Sequence, residues 1–587
     1  MPASPPPNVL LIVADDLPRN ILGAYGAQHG LLPELDGLAR RGLTFDSAYT
    51  VAPLCTPSRY ALLTGSYASR GARDRTEDGQ RNPARQVDFQ VFLSHHKGAP
   101  PTHTVAQLLR GHGYVTGLIG KYHVGHSLQA ADCGIGENGK SGAAHQPFVR
   151  ASLLEDSKQR YTQSCQTIGN QSCMSASIRR HAGFDHVADV YYDNDALTFY
   201  AHQPEWMAHE ALRFVRSARK RQKPFFLWMA PSLTHSPADI AHQLLSEPRF
   251  GPAGCGSEEE ASAEVIAAFK AGARRTRASV LSRLSKAKLL CSRNSTEWRI
   301  CPDEKLPSSS TLLHAEPWLP AGWFLDPGVA GAGRRAGLAT SVALAAWLDA
   351  SLAPLFAEVE HGKNGTDTAP QQTLTIFTSD HGPYFAGKGH AYEAGVRVPF
   401  IAHWFNGPAS PGGRTIETRV THLDVLPTLA RLVGGAASTT TSMALAEGEG
   451  RAIESLLGGR ESARQPSESS TPLFIEVGFS RSVVLNGYKL MVHLLPPSMA
   501  TDALCRSIHG IKLPAVQNLS KASKIKFMYD VRDRHPQHHC DRVQLYDLAA
   551  DPAEQRNLAA AQPERVETMR RLVLGHVKAV EAVASGT

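Results

Sequence analysis

The chain has no long hydrophobic run. Its leading apolar stretch, Val9 to Ala14, is far shorter than the roughly 20 residues a membrane helix needs, so no membrane span is expected. It shows no leader either: Met1-Pro-Ala-Ser-Pro-Pro-Pro lacks the basic start and apolar stretch of a signal peptide. Charge is sparse, 20% of residues, and nearly balanced, with a net +7 on 587 residues. So mild an excess, with no nucleic-acid motif beside it, excludes a nucleic-acid partner from the expectation. The hydrophobic content of 42% is that of a globular protein long enough for two domains.

Cysteine is scarce but present. Besides Cys55 there are Cys133, Cys165, Cys173, Cys255, Cys291, Cys301, Cys505 and Cys540, an even set that can pair. The close spacings make Cys165 with Cys173, and Cys291 with Cys301, conceivable bridges. Sequons stand at Asn170, Asn294, Asn364 and Asn518. Read literally, the N-terminus is that of a cytosolic protein. Cysteines and sequons point instead to a secreted or lysosomal-type compartment and a glycoprotein, and that is the expectation.

The most informative stretch is Cys55-Thr56-Pro57-Ser58-Arg59, with Leu62-Leu63-Thr64-Gly65 behind it. Thr56 suits an N-cap, Pro57 a first turn and Gly65 a stop. Cys55 is therefore expected just outside the N-terminus of a short helix, where N–H groups and the dipole hold an anion. A nucleophile there, with Arg59 one turn on, is placed to attack sulfate or phosphate. The bland alternative is a capped helix beside a buried thiol.

Four short apolar runs end in polar groups. Asn8–Ala14 leads to Asp15-Asp16, and Tyr114–Gly120 to Lys121-Tyr122-His123. Pro224–Ala230 leads to Thr234-His235, and Thr373–Thr378 to Ser379-Asp380-His381. Runs without alternation fit strands covered on both faces. Helical patterns at Leu35–Arg41, Val105–Gly111 and Ser341–Val359 complete an α/β arrangement. Ligands bind beyond the carboxyl ends of such strands. Asp15, Asp16 and Asp380 would repel one another unless a hard cation such as calcium or magnesium joined them; alone, Asp15-Asp16 also reads as a solvated turn. Lys121 and His123, two apart, face the same way in an extended segment. His123 and His235 suit proton transfer, but each alone also reads as a satisfied core histidine. Lys388 lies in a glycine-bracketed loop, Gly387-Lys388-Gly389-His390.

Together these segments resemble the sulfatases, of the arylsulfatase and iduronate-sulfatase kind, within the alkaline phosphatase-like superfamily. The resemblance runs in the family's order from Asn8-Val9-Leu10 through Cys55–Gly65, Gly120–Gly125, Thr234–Pro237, Ser379–Gly382 and Gly387–Pro399. It ends at Leu545-Tyr546-Asp547-Leu548 with Asp551-Pro552 and Glu554. It implies a large mostly parallel sheet sandwiched by helices and a smaller C-terminal antiparallel-sheet subdomain. It implies that Cys55 is oxidised to formylglycine by a formylglycine-generating enzyme. One calcium ion would be held by Asp15, Asp16, Cys55, Asp380 and His381. Arg59 would steady the formylglycine hydrate, Lys121 and Lys388 hold sulfate, His123 assist proton removal and His235 protonate the leaving alcohol. The reaction implied is hydrolysis of a sulfated small molecule or glycan through a covalent sulfo-enzyme. A phosphate or phosphonate ester hydrolase on the same scaffold is the alternative. A silent binding protein is argued against by the intact set of groups. Two positions depart mildly: His381 stands where many arylsulfatases have asparagine, and Tyr122 where tryptophan is usual. A further polar residue that contacts sulfate in some relatives has no clear match here, Asp193 lying near its place.

The expected organisation is a catalytic domain at 1–435, a linker or surface loop at 436–470 and a C-terminal subdomain at 471–587. Strands are expected at Leu473–Val477, Ser482–Leu485 and Tyr488–Val492, and a closing helix at Pro563–Ala582. Residues 250–330 form an atypical insertion. Within it, Glu258–Leu290, acidic first and basic later, reads as a solvated helix or a basic face for sulfated glycans.

Overall fold

The structure is a computed structural model. It describes residues 6–70, 72–73, 91–92, 103–124, 171–191, 202–235, 262–292, 298–301, 334–362, 371–383, 387–408, 412–434, 449–458, 471–478, 480–494 and 541–585. Cys165 with its conceivable bridge to Cys173, the asparagines of the four sequons, Asp193 and most of 250–330 and 436–470 lie outside the described residues.

One sheet of eight strands organises the chain. Its members are β1 (Asn8–Ala14), β2 (Leu43–Phe45), β3 (Val115–Lys121), β4 (His186–Tyr191), β5 (Phe225–Ala230), β6 (Thr373–Ser379), β7 (Phe400–Phe405) and β8 (Arg414–Ile416). They lie in the order β8-β2-β7-β6-β1-β5-β3-β4. All pairings are parallel except those of β7, which runs against both its neighbours. The four strands expected from their apolar runs are its contiguous centre, β6-β1-β5-β3. Their polar continuations therefore emerge side by side.

The β1 side chains divide between the two faces, as strand geometry requires. Leu10, Ile12 and Ala14 join one core with α1 (Pro33–Arg41), α5 (Gln203–Lys220), α6 (Ala263–Lys286) and α7 (Arg334–His361). Val9, Leu11 and Val13 join the other with α2 (Cys55–Thr64), α3 (Val105–Gly111), α4 (Gln171–Ala182) and α8 (Val425–Gly434). In α7, Leu338–His361 is long and apolar enough to cross a membrane, which corrects the expectation that no segment is. Its most apolar stretch is 78% buried, and its Trp347 is wholly enclosed. It is a helix apolar all round because it is a core helix. The Cys291–Cys301 bridge is formed; it closes a two-stranded ribbon, Leu290–Ser292 with Trp298–Ile300, behind α6.

The C-terminal sheet has four antiparallel strands, β9 (Leu473–Val477), β10 (Ser480–Leu485), β11 (Tyr488–His493) and β12 (Val543–Asp547). The first three match the expected positions, and β12 comes from the Leu545-Tyr546-Asp547 signature. The closing helix α9 spans Pro563–Ser585. One face of this sheet packs on Tyr49, Val51, Leu54 and Tyr392, directly behind the segment that leads into Cys55.

Candidate active site

Cys55 is the first residue of α2, not the residue before it. The helix begins earlier than expected because the Ser58 N–H already reaches the Leu54 carbonyl at 3.0 Å. Leu54 is the N-cap and offers no side-chain bond; the Thr56 hydroxyl is buried and caps nothing. Pro57 sits in the first turn, where a missing N–H costs nothing. Gly65 ends the helix in the left-handed conformation, as expected.

The strand ends deliver the other groups. Asp15 and Asp16 follow β1. Asp16 takes a left-handed φ of 60°, a conformation uncommon outside glycine and frequent at functional sites. It is held there by its N–H on Asp380 Oδ1 (3.2 Å) and by Thr234 Oγ1 on its carbonyl (3.1 Å). At the end of β3 the register shifts between Ile119 and Lys121. Gly120 there has a φ of 100°, and a Cβ on it would strike the Ala230 carbonyl and Met207. Such a bulge re-aims the next side chain: Lys121 Nζ meets Asp15 Oδ2 at 2.7 Å. Because of that bulge, and because His123 is itself left-handed (φ 49°), a shared facing of Lys121 and His123 does not follow from strand geometry. His123 lies buried two residues beyond Lys121. After β5 a tight turn carries His235, its N–H on the Ser232 carbonyl at 2.9 Å. His235 Nε2 lies 3.7 Å from Asp16 Oδ2.

Arg59, fully buried, ties the carboxylates together. Its Nε and Nη2 both donate to Asp380 Oδ2, at 3.2 and 2.9 Å. Its Nη1 donates to the Lys121 carbonyl at 2.9 Å, and Asp15 Oδ1 lies 3.8 Å from Nη2. Lys388 Nζ donates to both oxygens of Asp16, at 2.9 and 3.1 Å. Cys55 Sγ lies 3.2 Å from His381 Nε2 and 3.7 Å from Asp15 Oδ1. Nine of the ten expected residues thus meet in one contact network, and His123 stands at the same strand end.

Charge follows geometry. Burial works to raise the Asp15 carboxyl, but Lys121, His235, Arg59 and Lys388 hold it well below the usual carboxylate range. Asp16 is likewise lowered against its burial, chiefly by Lys388. Burial pushes the Cys55 thiol up to about 12, with Asp15 and Asp380 adding to the rise and the two lysines opposing it. Burial, then Lys388, lowers His235.

The donor set fits a cation. One donor atom each from Asp15, Cys55, Asp380 and His381 lies within 4.8 Å of the others, and all four residues are buried. Asp16 falls in an overlapping group with Asp15 and His235. His381 Nδ1 faces the Gly382 carbonyl at 2.8 Å. A carbonyl only accepts, so in the neutral ring Nδ1 carries the hydrogen and Nε2 keeps a lone pair toward Cys55. Beneath the site lies a residue that sequence reasoning missed. His422 Nδ1 lies 3.1 Å from Ser58 Oγ, which in turn donates to the Asp380 carbonyl. Burial drops His422 to about 3, so it serves as a neutral prop. Its one local signal is the capping box of Thr421 and Asp424 around it.

The sulfatase family model matches residues 7–436. Mouse steryl-sulfatase (Mus musculus) is 30% identical over 458 residues, which cover 74% of this chain and 63% of that protein. Human arylsulfatase A (Homo sapiens) is 25% identical over 99% of this chain and 90% of its own. The solved structure of a putative sulfatase from Bacteroides fragilis superposes with a TM-score of 0.52 at 17% identity, covering 99% of this chain and 97% of its own, which speaks to the fold. The ordered motifs, the site they build and the match across most of its length place this chain in the sulfatase family.

Proposed function

We propose that the protein hydrolyses sulfate esters, with Cys55 converted to formylglycine and one calcium ion held by Asp15, Asp16, Asp380, His381 and the modified residue 55. The observation that carries this reading is the buried meeting of three carboxylates, two lysines and an arginine around the first residue of α2. Three carboxylates in one buried pocket need cationic partners. The bound cation would supply positive charge to them and to the developing charge on the sulfuryl oxygens. Lys121 and Lys388 then have sulfate oxygens as their second class of partner. The hydrated aldehyde supplies the attacking oxygen. His123 takes a proton at that hydrate and His235 gives one to the leaving alcohol oxygen. The thiol itself is unsuited to the attack, since a group pushed up to about 12 is neutral near pH 7.

The substrate class is a sulfated small molecule or glycan, and the maturation partner a formylglycine-generating enzyme. The Cys291–Cys301 bridge favours a secreted or lysosomal-type compartment. The matured protein is expected to cleave 4-nitrophenyl sulfate with a kcat/KM about 100-fold or more above that for 4-nitrophenyl phosphate. A preference for the phosphate ester would overturn the assignment and favour the phosphohydrolase alternative.

Calcium binding has its own readout. Saturating calcium should raise the thermal midpoint, a hundredfold excess over Kd adding about 2.7 kcal/mol. The Asp380→Asn variant should lose most of that response in differential scanning fluorimetry. A parent protein whose midpoint ignores both calcium and chelator would refute the ligand set.

A further inference from the structure

Lys388 stands on neither a strand nor a helix. The Gly387 and Lys388 N–H groups both reach the Pro383 carbonyl, at 3.2 and 3.3 Å, and the Gly389 N–H reaches the Pro53 carbonyl at 2.6 Å. Gly387 and Gly395 pack so closely that a Cβ on either would run into the backbone of the other. The loop is therefore folded against the helical turn Glu393–Val396. That turn, in its own right, hangs from the C-terminal sheet.

The attachment is a buried ionic cluster. Lys489, on β11, is fully buried and donates to the Ala391 carbonyl at 2.9 Å. Its Nζ lies 2.8 Å from Glu393 Oε1 and 2.8 Å from Glu554 Oε1. Three acceptors thus surround one ammonium, which has three hydrogens to offer. The other oxygen of Glu554 accepts from the Glu393 N–H at 2.6 Å. Tyr392 adds a bond to Gln544 of β12 at 2.8 Å. Glu393 also accepts from Tyr49 (2.9 Å) and Arg397 (2.6 Å). Burial raises Glu393, yet Lys489 and Arg397 hold it down at about 2. Burial lifts Glu554 to about 7.

A buried lysine with two buried carboxylates is poor value for stability alone, since well-packed apolar groups of similar volume often do as well or better. What the cluster does fix is the backbone of Ala391–Glu393, three residues beyond Lys388. We propose that Lys489 is a positioning residue for the reaction: through Ala391 and Glu393 it sets the Gly387–His390 loop so that the Lys388 ammonium faces Asp16 and the sulfate. The C-terminal sheet is then a working part of the site, though none of its residues touches the reacting atoms. This inference rests on the reading of Lys388 as a sulfate ligand.

A double-mutant cycle on the matured, full-length enzyme separates the two claims. Lys388→Ala should lower kcat/KM for an aryl sulfate by about 100-fold and weaken inhibition by inorganic sulfate. Lys489→Met should lower kcat/KM by about 10-fold, expressed largely in KM, and weaken inhibition by sulfate as well. If Lys489 acts through Lys388, the double variant falls within about threefold of Lys388→Ala alone. Independent, multiplying losses would overturn the positioning role and leave the role of Lys388 intact. A Lys388→Ala variant with unchanged kcat/KM and sulfate inhibition would overturn the reading of Lys388 itself, and this inference with it. Should Lys489→Met fail to fold, Glu554→Gln takes its place in the cycle. It keeps an acceptor for the Glu393 N–H and is expected to show the same non-additivity with a smaller, few-fold loss.

Discussion

Cys55→Ala is expected to remove turnover almost completely, by at least about 10,000-fold in kcat, as for loss of a covalent nucleophile elsewhere. The fold should survive. The thiol is small and wholly buried, and its hydrogen-bond contacts are to His381 and Asp15. Folded protein that has kept its thiol should be equally inactive, because burial pushes that thiol up to about 12 and keeps it protonated near pH 7. Two measurements check this. A progress curve with an aryl sulfate compares the alanine variant with the parent at matched concentration. Peptide mass spectrometry then asks whether, in active enzyme, residue 55 has exchanged its sulfur and two hydrogens for one oxygen. Turnover by Cys55→Ala, or by protein whose Cys55 is wholly intact, would sink the formylglycine reading.

Why was so much of this site legible, and where did legibility stop? β1, β3, β5 and β6 were readable because strands buried on both faces must be apolar throughout, and each run stops where its polar continuation begins. That those ends converge follows once the strands are neighbours in a parallel sheet, and they are its contiguous centre. The rim was harder. β2 and β8 have three residues each, too few to show a period. β7 is reversed against its neighbours, and its sequence carries no mark of direction. Thr56 suits a cap by its side chain, but the backbone bond from Ser58 to Leu54 sets the start of α2 earlier. The helix at Ser341–Val359 is legible in the sequence and stands within α7, but small residues between its large ones disguise how continuously apolar it is. Least legible of all was the cluster of Glu393, Lys489 and Glu554. Its members are 96 and 65 residues apart in sequence, each stands in ordinary surroundings, and only the packing of β11 against the Lys388 loop brings them together.

Arg59 carries the second large effect, and it separates structure from chemistry. Arg59→Met should cost about 3–5 kcal/mol of stability, the usual result of removing one partner from a buried ion pair, and should abolish activity. The reason is in its contacts. Asp380 would lose both donors to Oδ2, the Lys121 carbonyl would lose its Nη1 partner, and Asp15 would lose a neighbouring charge. Arg59→Lys should do better on stability but not on turnover. An ammonium keeps the charge, yet it cannot present Nε, Nη1 and Nη2 in one fixed plane to Asp380 and the Lys121 carbonyl at once. Equilibrium denaturation gives the first quantity and steady-state kinetics the second. An Arg59→Met protein within about 1 kcal/mol of the parent would mean that the carboxylates find another partner unaided. Calcium is the partner proposed for this site, so the direction of its effect is part of the prediction. The loss of stability should be smaller with calcium present than in chelator, because the proposed cation would neutralise the same two carboxylates as the guanidinium, Asp15 and Asp380. Equal losses under both conditions would show that the arginine and the metal site are not coupled.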